Sequence, residues 1–201
     1  MHGSNAEAQI RAELERIMPL ISALTGLPAP WSGVIELVED ADFKGKKRFS
    51  CDIQIDAALA RQEIRWATLI HESLHCHSVG YNGTDYRLNR GWEEGVVEQL
   101  QRMFRSRVLS EIGIAIDESV FQQAAEYHRY NRYIRALESL RQALPQFASD
   151  QEAFYKTLLA TPIRDRIALV LGWRDTLPFV DRVEFVGNFS AANYELTRGI
   201  T

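Results

Sequence analysis

Apolar residues recur along this chain in two rhythms, one of three to four residues and one of two, and each change of rhythm marks an element. Ile10, Leu14, Ile17, Ile21 and Leu24 keep the spacing of one helix face and predict an amphipathic helix ending at Thr25. Ser4 as N-cap with Glu7 fits a capping box, Pro19 should bend the helix for want of an amide donor, and Gly26 and Pro28 end it. Residues 34–38 read as a strand and Asp40 to Lys47 as a charged turn. Phe49, Cys51, Ile53 and Ile55 then alternate with polar residues, as a half-buried strand does. A helix follows over Ala57 to Ser78 with Asp56 as its cap, until Gly80, Asn82 and Gly83 break it into a loop that holds Tyr86. A second helix runs from Trp92 to about Ser110, and Gly113 interrupts it. Asp117 to about Leu144 carries Val120, Ala124, Tyr127, Ile134 and Leu137 on one stripe and predicts a single long helix, its tyrosines read as core. Helices near 150–160 and 162–172, the latter opening at Thr161-Pro162, precede an irregular tail over 178–201. The pattern as a whole is that of an α+β chain, predominantly α-helical, with a short sheet ahead of one central helix.

That central helix carries the chemistry. His71-Glu72-Ser73-Leu74-His75 spells HExxH, and a helix turns about 100° per residue, so the two histidines lie one turn apart on one face. Two imidazoles placed so can grip one metal ion from the same side. Glu72 is rotated off their axis, placed to reach a metal-bound water rather than the metal, which is the zincin arrangement of two His ligands and a carboxylate general base. His77, two residues past His75, points elsewhere and is expected at the surface or behind the ligands.

With Trp92-Glu93-Glu94-Gly95-Val96-Val97-Glu98 following, and eighteen residues between His75 and Glu94, the chain resembles the gluzincin metallopeptidases, the class that contains thermolysin and the metallo-aminopeptidases. The resemblance covers roughly residues 48–100. It implies a zincin-like core and one Zn2+ ion held by His71, His75 and Glu94, with Glu93 as the rival third ligand. Glu98, one turn further on, is implied to support a metal-bound histidine by hydrogen bonding from behind. Tyr86 takes the place of a tyrosine that binds the developing oxyanion, with Tyr127, His128 and Tyr130 as the alternative donors. The strand before the HExxH helix is implied to bind substrate along its exposed edge. The function implied is a zinc-dependent metallopeptidase that hydrolyses peptide bonds through a zinc-activated water, with Glu72 as general base. Two other readings stand beside it. One is a catalytically silent zinc-binding regulatory protein on the same scaffold. The other is a different zinc amide hydrolase of the deformylase kind, which takes its third ligand from a cysteine; Cys76, next to His75, points away from the ligand face.

Composition narrows the surroundings of that site. With 201 residues, 46% hydrophobic and 25% charged, the chain reads as one globular domain over 1–201, with a core over about 1–110 and a helical C-terminal lobe over about 111–201. A net charge of −4 with scattered Lys and Arg argues against nucleic acid as partner; Lys44 to Arg48 reads as a solvated hairpin loop. Two cysteines make no disulfide framework, and both Cys51 and Cys76 are expected reduced. No signal sequence or membrane span is legible, so the expected location is the cytoplasm, with export by a non-classical route as the other possibility. The expected partner is a protein or peptide substrate, with a regulatory protein as a further candidate.

Overall fold

The computed structural model describes residues 3–48 and 50–198. The chain is predominantly helical with one three-stranded sheet, and it divides into two compact units that interleave along the sequence. The first takes residues 1–77 and 101–127, and the second takes 78–100 and 128–201. No helix among the described residues is long and apolar enough to cross a membrane.

In the first unit, α1 (Gly3–Thr25) buries Ile10, Leu14, Ile17 and Ile21, the face its spacing predicts. It opens one residue before the expected Ser4 cap, whose side chain lies outside the described residues, and it continues through Pro19. Gly26 ends it with a φ of 74° and an amide bond back to Ser22 O at 2.8 Å, a backbone shape that glycine takes without strain. Three strands follow: β1 (Ile35–Val38), β2 (Gly45–Lys47) and β3 (Ile53–Asp56), in the order β1-β3-β2. β1 is parallel to β3 and β2 antiparallel to it. Two expectations change here. The charged turn over 40–47 contains a strand, hidden because Gly-Lys-Lys has no apolar alternation. The strand before the HExxH helix is also shorter than expected and central, paired on both sides, so it offers no edge; Cys51 is in a turn with a φ of 59°, and Phe49 lies outside the described residues.

The helix expected from Ala57 divides into a single 3-10 turn (Leu59–Arg61) and α2 (Arg65–His77). Asp56 caps neither: its Oδ1 accepts the Ala58 amide at 3.1 Å ahead of the 3-10 turn, whose N-cap position is Ala58 with no side-chain cap. α2 packs on α1 and β2. The second part of α4 (Arg90–Glu111) and α5 (Glu118–Glu126), capped by Asp117 on the Ser119 amide, complete this unit.

The second unit begins with α3 (Gly83–Leu88). Asn82 accepts the amides of Thr84 and Asp85, so a residue read as a helix breaker starts a helix, and Tyr86 is helical rather than in a loop. α6 (Asn131–Gln142), α7 (Gln151–Leu159), α8 (Arg166–Arg174) and α9 (Phe179–Thr197) make up the rest. The single long helix over 117–144 is therefore two, because the chain changes unit at Tyr127–His128; Tyr127 is 86% exposed, not core, while Tyr130 and Tyr133 are buried. Pro162 precedes a short 3-10 turn rather than sitting in the first turn of an α-helix. The expected irregular tail is α9, which packs on α6 through Phe185, Ala192 and Leu196. Its apolar residues run round the whole helix, with Phe179, Val180 and Val183 exposed, and this erased the one-sided period. Gly199, which had counted toward a tail, lies outside the described residues.

Candidate metal centre

α2 brings His71 and His75 together as the spacing requires. Their Nε2 atoms are 3.1 Å apart, and the rings meet nearly edge to face, with centroids 4.8 Å apart and planes at 77°. His75 is buried and His71 half-buried. Glu72 is buried beside β2: a Cβ built on Gly45 would stand 2.8 Å from its Oε1 and 2.9 Å from its Cγ. Only a glycine lets the strand approach the carboxylate so closely.

The C-terminal end of α2 is fastened by its remaining polar groups. His77 is not at the surface but 2% exposed. Its Nδ1 donates to Ser73 O at 2.7 Å, which leaves Nε2 to accept the Ser22 hydroxyl at 2.8 Å. Burial lowers its pKa, in keeping with a neutral ring that ties α2 to α1. Cys51 and Cys76 are free and buried, and the neighbouring Cys51 together with burial pushes the Cys76 thiol's ionisation far up. The thiol that a deformylase-like site would need is not in the group of side chains that could hold a metal ion among the described residues.

In the second unit, the first turns of α4 set two adjacent carboxylates to different tasks. Glu93 is fully buried and accepts Arg166 Nη1 at 2.7 Å and the Ser78 hydroxyl at 2.9 Å. Arg166 is also fully buried, with further bonds to Ser78 Oγ, Trp92 O and Thr161 O. Its pKa is lowered by burial and held up against that by the Glu93 carboxylate. Glu94, about 100° further round the helix, is 3% exposed and accepts the Tyr86 hydroxyl on Oε1, with Arg90 Nε at 3.8 Å. Burial first, and then the Glu94 carboxylate, drive the Tyr86 phenol's ionisation far up, so it remains a hydrogen-bond donor. Tyr130 is buried, and burial first, then the Glu94 carboxylate, pushes its phenol's ionisation up. Glu98 lies one turn beyond Glu94 with His128 Nδ1 at 3.8 Å, and the His128 ring meets Tyr130 edge-on at 5.0 Å.

One ligand-type atom from each of His71, His75 and Glu94 lies within 4.8 Å of the others, so these three could hold a metal ion. Two imidazoles and one carboxylate suit zinc among other divalent ions. Glu93, the rival third ligand, is not in the group. Sequence reading missed Arg166 and Arg90. Arg166 closes the charged run Arg164-Asp165-Arg166 ahead of the apolar residues Ile167 to Val170, and nothing local in the sequence marks which of those two arginines goes inside. No family model, no curated protein and no solved structure matches this chain.

Proposed function

We propose that this protein is a zinc-dependent metallopeptidase with a gluzincin-like core. The observation that carries the reading is the convergence of His71, His75 and Glu94, with Glu72 buried one residue after the first of them. When held by these three side chains, zinc supplies a Lewis acid with a coordination position left over for the reacting groups. Glu72 holds and moves the proton: its carboxylate takes one from the attacking water and passes it to the leaving amine nitrogen. Tyr86 orients Glu94 by donating to Oε1, and Arg90 adds a positive charge on the same side. Gly45 keeps β2 against Glu72, limiting the water around the carboxylate.

The test is metal analysis of the purified chain together with N-terminal sequencing of the products it releases from a proteome digest. Zinc at one per chain and new N-termini are expected. A Glu72→Gln variant should keep the zinc and lose the new termini, because the amide preserves shape but takes no proton. New termini released equally by Glu72→Gln overturn the mechanism, and a chain that takes up no zinc overturns the ligand set.

A further inference from the structure

The outer strand of the sheet and its flanks expose Lys44, Lys46 and Arg48 on one face, while Lys47 is buried on the other with Gly45. Among the described residues no strand lies beyond β2, since the order is β1-β3-β2. Asp56 N donates to Lys44 O at 3.0 Å, Arg48 N donates to Asp52 O at 2.8 Å, and Lys46 stands opposite Gln54. The backbones of 44, 46 and 48 therefore face β3, and by antiparallel alternation Gly45 turns its amide and carbonyl to the open side. The side chains follow the same period of two. Lys44, Lys46 and Arg48 are exposed on one face, while the Gly45 position lies against Thr68 and Glu72 of α2.

An open strand edge is a template for a further extended segment, which would lie about 4.8 Å from β2. Such a segment would set alternate side chains beside Lys44, Lys46 and Arg48, where opposite charges stabilise the pairing and like charges oppose it. A second copy of this strand would bring the same cations against them and is disfavoured. Arg48 has Glu36 at 3.9 Å, an exposed pair that holds it weakly. We propose that β2 receives an extended acidic peptide segment, paired through Gly45 and read by Lys44, Lys46 and Arg48. This names the substrate class of the peptidase reading above and rests on it, since the segment would run beside Glu72.

Binding is measured on the Glu72→Gln chain by fluorescence anisotropy, with short labelled peptides bearing Glu, Gln or Lys at alternate positions. The Glu peptide should bind about tenfold more tightly than the Gln peptide and more tightly still than the Lys peptide. Combining Lys44→Glu, Lys46→Glu and Arg48→Glu should invert that order, and Lys46→Gln alone should narrow it. N-methylation of the Glu peptide's backbone amides should abolish binding. Equal affinity for the Glu and Gln peptides overturns the proposal. So does an order untouched by charge reversal, or full binding of the methylated peptide, which would mark a mere anion patch. Cleavage by the unmodified chain is read separately. Charge-selective binding without cleavage leaves the edge assignment standing and removes the peptidase reading. Cleavage without charge preference does the reverse.

Discussion

Glu93 and Arg166 form an ion pair at 2.7 Å with neither side chain exposed at all, and the pair accounts for the different work of two neighbouring glutamates on α4. Removing one partner of such a pair leaves a buried charge uncompensated, at a cost of about 3–5 kcal/mol. Glu93→Ala should therefore lower the melting stability by that amount and leave the zinc affinity of the folded fraction unchanged. Glu94→Ala should strip the zinc while the metal-free chain melts near the parent. Thermal melts and metal content after mild dialysis distinguish the two; zinc lost from Glu93→Ala and kept by Glu94→Ala would reverse the assignment.

The Tyr86 hydroxyl is spent on Glu94. A partner that orients a ligand carboxylate typically contributes about 10–100-fold in metal affinity. Tyr86→Phe should show that loss in a zinc competition titration, with the fold intact. Parental zinc affinity together with a lost rate would instead return the hydroxyl to the oxyanion role that its sequence position implies.

Gly45→Ala places a methyl 2.5 Å from Thr68 Cγ2 and 2.9 Å from Glu72 Cγ, and the α2 backbone gives neither of them room to withdraw freely. Either β2 or the carboxylate must move. The expected outcome is a chain that binds zinc like the parent and turns over substrate roughly 100-fold more slowly, because a base displaced by about 1 Å loses its alignment. Parental turnover would mean that the strand yields instead.

Two glycines in helices should respond in opposite directions. A Cβ at Gly91 would stand 2.3 Å from Leu196 O and 2.7 Å from the Tyr133 ring, so Gly91→Ala should cost about 1–3 kcal/mol as α4 is pushed off α6 and α9. Gly187, inside α9, has nothing within 4 Å of its would-be Cβ, and Gly187→Ala should stabilise by about 0.5–1 kcal/mol. Chemical denaturation of the two variants side by side checks both signs.

What was legible in the sequence was local. His71, Glu72 and His75 could be placed because helix geometry alone sets their relation, and the α1 stripe because its apolar residues fall on one face. The choice between Glu93 and Glu94 depends on Arg166, far along the chain, and nothing near Glu93 announces that partner. β2 was missed because an edge strand of Gly-Lys-Lys presents a lysine on the side it exposes and a glycine and a second lysine, Lys47, on the side it buries. Asn82 misled because the same side chain that ends one helix can cap the next. Tyr127 was counted into a buried stripe by its ring, though the chain changes unit there and leaves it in solvent. α9 escaped because exposed Phe179, Val180 and Val183 fill the face that should have been polar.

The interleaving of the two units separates the order of synthesis from the order of assembly. α3 and the first turns of α4, with Glu94, are made before any of residues 128–198, on which their packing depends. At about 5–20 residues per second, translation leaves that stretch waiting for roughly 5–20 s before α9 emerges. Trp92, fully buried in the finished protein with its indole N–H on Asn193 of α9, spends that interval without its partner. The stretch around Trp92 therefore spends part of synthesis with an apolar side chain uncovered, and Glu94 reaches its finished surroundings only after the rest of its unit has been made.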